Sequence, residues 1–165
     1  SGRETAMTGY VRATVAGGDG DRIAAMAADV CGHADAGATA LREAKYAWAG
    51  QLRASGDRDR ALKLYKELAS DVKTREGSEA AYYVIEALFE SGDLDKTESE
   101  VFAFSDREPN AYWLAKAFLL LGDVYVRKGD TFQARATYQS VADGYSPADD
   151  GIVDEAKERI AKLKN

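Results

Sequence analysis

Residues 115–148 read AKAFLLLGDVYVRKGDTFQARATYQSVADGYSPA. At the middle stands Gly129-Asp130, with helical periodicity on either side. Upstream, Phe118, Leu121, Gly122 and Tyr125 fall at spacings of three and four, and downstream Ala134 and Tyr138 do the same. A glycine enters the left-handed conformation cheaply and so ends a helix. An aspartate directly after it accepts hydrogen bonds from the free N–H groups that open the next helix. Gln133, three residues after Asp130, is placed to complete a reciprocal capping box. The stretch therefore predicts two antiparallel helices joined by a tight hinge, and the hinge aspartate is a cap rather than a chemical group.

The pair recurs. Gly-Asp occurs at 20–21, 56–57, 92–93 and 129–130, at intervals of 36, 36 and 37 residues. A period of that length marks stacked supersecondary units. Four units result, roughly 6–41, 42–77, 78–114 and 115–150, followed by a segment 151–165. Ala24, Arg60 and Lys96 stand where the last unit has Gln133, so those hinges have only the simple cap. The last segment places Ile152, Val153, Ala156, Ile160 and Leu163 on one face, with acids early and lysines late as the helix dipole favours. Its other face, with Glu158 and Arg159, is polar.

Counted from Ala115, Phe118 is fourth, Leu121 and Gly122 are seventh and eighth, Tyr125 eleventh, Ala134 twentieth and Tyr138 twenty-fourth, with Pro147 just beyond the end. This resembles the tetratricopeptide repeat, in which small residues let two helices approach and large ones fill the groove between neighbouring hairpins. Unit 42–77 follows the pattern with Trp48, Ala49, Leu52, Ala61 and Tyr65, but Lys45 holds the place of the aromatic at four. Unit 78–114 departs further, with Ile85 at eight and Thr97 at twenty, and predicts wider helix spacing. The first unit is weakest, with Asp29 in an aromatic's place, and reads as a truncated repeat. The resemblance implies an all-α fold: a right-handed superhelical stack of antiparallel hairpins, closed by a C-terminal capping helix over 151–165.

Composition narrows the function classes. The chain has 165 residues, 45 % hydrophobic, with a formal charge of −6. An acidic chain without a basic patch repels phosphate backbones, so nucleic acid is not an expected partner. No apolar run approaches the roughly 18 residues of a membrane span. Cys31 is the single cysteine and His33 the single histidine. Two residues apart on a helix they point to different faces, which argues against a nucleophile pair, and zinc needs more ligands than these. The run AGGDGDRIAA at 16–25 lacks the Lys-Ser/Thr of a phosphate loop and the acid spacing of a calcium loop. No catalytic residue, metal or cofactor is expected.

The resemblance also implies a binding face. In that family the second, fifth, ninth, twelfth and thirteenth positions of each unit face the concave groove. Unit 42–77 then presents Glu43, Tyr46 and Arg53, beside the small Gly50 and Ala54. Unit 78–114 presents Glu79, Tyr82, Glu86, Phe89 and Glu90. Unit 115–150 presents Lys116, Leu119, Asp123, Val126 and Arg127. Tyr10, Tyr46 and Tyr82 recur at intervals of 36 in the fifth position, where Leu119 follows them. Such a ladder either lines the groove or packs between adjacent first helices with its hydroxyls in water; the residues leave both open. Acids outnumber bases on this face, so the expected occupant is a protein or peptide with basic or apolar-aromatic side chains. A structural or oligomerising segment acting through the N-terminal repeat is the alternative, and a helical-toroid enzyme a lesser one. Residues 111–146 carry a looser likeness to repeat proteins of bacterial cell envelopes, which implies a periplasmic or envelope-attached scaffold.

Overall fold

A computed structural model describes residues 1–164. Among these the chain is all-helical: α1 (Gly2–Gly17), α2 (Gly20–Gly32), α3 (Ala38–Ala54), α4 (Arg58–Leu68), α5 (Arg75–Glu90), α6 (Leu94–Asp106), α7 (Ala111–Arg127), α8 (Thr131–Gly144) and α9 (Ile152–Lys162). The helices fall into two compact units, Ser1–Asp71 and Val72–Asn165.

The hinges form as their chemistry requires. Gly56, Gly92 and Gly129 have φ of 87°, 87° and 77°, and each is followed by an aspartate that caps the next helix. Asp57, Asp93 and Asp130 accept from the backbone N–H of Arg60, Lys96 and Gln133 at 3.2, 3.2 and 3.0 Å. Each of these aspartates also turns its own N–H back onto the preceding helix, at Leu52, Leu88 and Tyr125. Gln133 does not close the reciprocal box. The N–H of Asp130 is already taken by Tyr125, so the Gln133 amide donates to the Asp130 carboxylate instead.

The first hinge departs from the expected place. Gly18, not Gly20, takes the left-handed conformation, with φ of 72°, and its N–H closes α1 on the carbonyl of Val15. Asp19, not Asp21, caps α2 by accepting from the Arg22 N–H at 3.1 Å. Gly20 is already helical and lies beside the Gln51 side-chain amide, which would have to move aside for a Cβ there. The first interval is thus 38 residues, from Gly18 to Gly56.

In the first unit α3 packs against α1, α2 and α4. Val11 of α1, Ile23, Met26, Ala27 and Val30 of α2, and Ala40 and Ala44 of α3 make one core. Ala49 and Leu52 continue it onto Ala61, Leu64, Tyr65 and Leu68 of α4. The small residues on α3 bring the flanking helices close. α1 buries only Val11 and carries little apolar stripe, which fits the weak match of this unit to the repeat pattern.

In the second unit α7 is central and touches α5, α6, α8 and α9. Gly122 of α7 lies beneath Tyr138 of α8: a Cβ at 122 would stand 2.1 Å from the ring. Both the small residue and the ring follow the pattern. α5 and α6 share a less extensive interface than α7 and α8. Thr97 is fully buried and satisfies its hydroxyl by donating to the Asp93 carbonyl at 2.7 Å. Ser78, also fully buried, donates to the Val72 carbonyl at 2.6 Å and accepts from the Asn110 N–H at 2.9 Å, tying the starts of α5 and α7 together. α9 lays Ile152, Val153 and Ala156 against α7 and α8.

The two candidate caps in the first hinge are separable. Asp19→Ala should lower stability by about 1 kcal/mol, the usual cost of a lost cap. Asp21→Ala, which removes only a first-turn charge, should cost about 0.3 kcal/mol. Urea denaturation of both variants checks the order; a larger loss at Asp21 would move the hinge back to 20–21.

Candidate functional site

The face made by the first helices of the hairpins is built differently in the two units. On α3, Glu43, Tyr46 and Arg53 lie along one side. Leu41, Lys45, Trp48 and Leu52, each one or two residues away, lie on the opposite side, because two residues rotate a helix by about 200°. Arg12 of α1 reaches Glu43 with two parallel bonds, Nε to Oε2 at 2.9 Å and Nη2 to Oε1 at 2.7 Å. The guanidinium holds the Glu43 carboxyl below its ordinary range, through the hydrogen bond first and against a smaller desolvation effect. Beside this pair, α1 and the start of α3 enclose a cleft of about 630 Å³ bordered by Glu4, Thr8, Gly9, Arg12, Gly37 and Thr39. Tyr46 and Arg53 are half-buried.

Tyr10 is not on this face. It is 44 % exposed and borders a separate cleft of about 410 Å³ between α1 and α2, with Asp19 and Arg22. The displaced hinge is the reason. Tyr46 and Tyr82 stand ten residues before their hinge glycines, Gly56 and Gly92, whereas Tyr10 stands eight before Gly18. The residue ten before Gly18 is Thr8, and Thr8 lines the α1–α3 cleft. Arg12 is likewise the counterpart of Gly50, Glu86 and Asp123, each six residues before its hinge. Aligned on Gly18, the sequence would have led to both.

In the second unit most of the expected groove residues are engaged by the protein itself. Tyr82 is 8 % exposed and Leu119 1 %, so both are packing residues and neither offers a face to a ligand. The Tyr82 ring packs against Trp113 of α7, centroids 5.5 Å apart, and its hydroxyl donates to Glu86 at 3.3 Å. Burial, with the Glu86 charge next, pushes the Tyr82 phenol well above its ordinary range. Arg127 stacks on Phe89, 3.9 Å from the ring centroid, and donates to the Phe89 carbonyl. Glu79 is half-buried near the start of α5. Lys116 pairs with Glu155 of α9 at 3.5 Å, and Asp123 with Arg159 at 3.1 Å. Asp123 also accepts from the Tyr138 hydroxyl. Arg159, expected on the open polar side of the last helix, is turned inward by this pair. Its role follows from tertiary placement alone.

Cys31 and His33 also lie otherwise than expected. α2 ends at Gly32 and His33 is extended, so the chain turns and both residues border one cleft. Burial raises the Cys31 thiol, the direction opposite to an activated nucleophile. Among the described residues no three His, Cys, Asp or Glu side chains gather as a metal site. No described helix is long and apolar enough to cross a membrane.

Tyr82→Ala should cost about 3 kcal/mol, as for a buried ring, and Tyr46→Ala clearly less. Equal shifts in denaturation midpoint would return Tyr82 to an open groove. The Arg12–Glu43 pair also predicts an acid response. Because the folded state lowers the Glu43 carboxyl from its ordinary 4.5, the stability it contributes is full above that value and is lost as pH falls through the lower folded value. A stability difference between the wild type and Arg12→Gln should therefore be present at neutral pH and close in acid; a difference that widens in acid would contradict it.

Comparison with family models, curated proteins and solved structures yields no match to this chain.

Proposed function

We propose that the chain is a non-catalytic scaffold that holds a protein or peptide segment against the first helices of a tetratricopeptide-type superhelical array. The observation that carries this reading is the contrast between two equivalent faces. On α7 the face is covered by α9, held through Lys116–Glu155 and Asp123–Arg159. On α1 the equivalent position, Arg12, is bridged to Glu43 of α3, and beside that bridge the face stays open as the cleft of about 630 Å³. α9 is an internal example of an occupant: an amphipathic helix with buried Ile152, Val153 and Ala156 and a flanking acid–base pair. Laying an apolar helix face into a groove is a recurrent mode of peptide recognition. Of the two charged residues that border the cleft, Arg12 is already paired with Glu43, so the Glu4 carboxylate, which also meets the Ser1 ammonium at 2.9 Å, is the charge offered to a basic side chain.

The opposite side of α1 favours a second reading, assembly with another copy or another repeat. Tyr10 remains 44 % exposed there. Light scattering of the wild type and a Tyr10→Glu variant separates the two: only self-association through α1 gives a dimer that the variant loses.

Gly9→Arg tests the peptide site. A Cβ at Gly9 meets nothing within 4 Å, so the new side chain fits and extends over the cleft. The substitution should raise helix stability by up to about 1 kcal/mol while blocking the occupant. On an array of basic and apolar-aromatic peptides, wild-type binding should be lost in this folded variant. An unchanged binding pattern would remove the α1–α3 face from consideration.

A further inference from the structure

A third cleft of about 580 Å³ opens on the other side of α3, between the C-terminal end of α2 and α4. Its origin is visible by comparing hairpins. In the second unit Phe118, eleven residues before Gly129, meets Phe102, ten residues after Gly92, ring edge to ring face at 6.4 Å between centroids. The same two places in the first unit, counted from Gly56 and Gly18, hold Lys45 and Ala28. Two aromatic rings are thus replaced by one flexible stem and one methyl group. Lys45 borders the cleft, so the ring that α7 carries at this place is absent from its wall.

What remains has a floor of one chemistry and a rim of another. Leu41, Trp48 and Leu64 supply apolar surface. Lys45, Arg60 and Lys63 stand around it, against the single carboxylate of Glu67. Glu67 pairs with Lys45 at 3.1 Å, and Arg60 lies 5.8 Å from the centre of the Trp48 ring with a 3.5 Å contact to Asp57. Lys63 has no ion-pair partner among the described residues. In a chain of net charge −6, this cleft is locally cationic. Its volume falls within the roughly 300–1,000 Å³ of small-molecule sites, which join an apolar lining to a few placed polar groups.

We propose that the α2–α3–α4 cleft binds a small amphipathic carboxylate, its apolar body against Leu41, Trp48 and Leu64 and its charge at Lys63 and Arg60. The site is independent of the peptide-binding face, since the two lie on opposite sides of α3. Occupation covers Cys31, which borders the cleft and is the one thiol in the chain.

That thiol supplies the readout. The full chain is titrated with decanoate, and the rate of Cys31 modification by uncharged 4,4′-dithiodipyridine is followed, with isothermal calorimetry in parallel. Decanoate should protect Cys31 saturably, and decanol, equal in length but neutral, should bind roughly tenfold more weakly. Lys63→Glu, an exposed change, should weaken decanoate about tenfold and leave decanol unaltered. Lys45→Trp should restore a ring to the vacant place and abolish protection by either ligand, with helical content kept by circular dichroism. Failure of millimolar decanoate to protect Cys31 overturns the proposal, as does equal affinity for decanoate and decanol. Protection by an acidic leucine-rich peptide where decanoate has no effect also overturns it, in favour of a protein occupant.

Discussion

A left-handed glycine followed by a capping aspartate is the constraint on which the structure depends. The glycine ends one helix where any other residue would be strained, and the aspartate begins the next by accepting from its third free N–H. Because the aspartate also returns its own N–H to the outgoing helix, the turn is tied on both sides. Helix phase is thereby fixed relative to the hinge. Which residue faces which neighbour follows from its distance along the chain from that point, at about 100° for each residue.

The same count explains why equivalent positions serve unlike ends. Ten residues before the hinge lie Thr8, Tyr46, Tyr82 and Leu119. Thr8 lines an open cleft, Tyr82 packs against the rings of the next first helix, and Leu119 is sealed in the second unit's core. Six before lie Arg12, Gly50, Glu86 and Asp123, of which Arg12 reaches across to α3 and Asp123 receives Arg159 of α9. The backbone repeats while the neighbourhood does not. Where the neighbouring helix packs closely these positions turn inward; where it leaves a cleft, as between α1 and α3, they meet solvent or a partner.

Much of this was legible in the residues. The three hinges at 56–57, 92–93 and 129–130, the hairpins around them, and the amphipathic last helix follow from glycine conformation, capping and apolar periodicity. The first hinge was harder, because GGDGD at 17–21 offers two glycine–aspartate pairs two residues apart. An even period favoured the second pair, but Gly18 takes the left-handed turn and Asp19 caps α2, which leaves Gly20 inside the helix. That small slip moved Tyr10 to the wrong side of α1. The fate of the groove residues was illegible for another reason. Lys116, Asp123 and Arg159 read as solvated charges until α9 lies beside α7, and a pairing between segments some 39 residues apart leaves no local signal. Cys31 and His33 border the same cleft beyond the end of α2, which stops at Gly32.

The hairpin plan also limits how far apart along the chain interacting residues lie. Arg12 meets Glu43 across 31 residues, Asn110 meets Ser78 across 32, and Lys116 meets Glu155 across 39. Among the described residues no strand has to find a distant partner, and these contacts join neighbouring hairpins. Chains whose contacts are this local fold quickly, because little loop entropy is lost before packing begins to compensate. Each unit can thus organise around its own central helix, α3 or α7, as soon as the flanking hairpins have left the ribosome. Order of synthesis and order of folding then coincide.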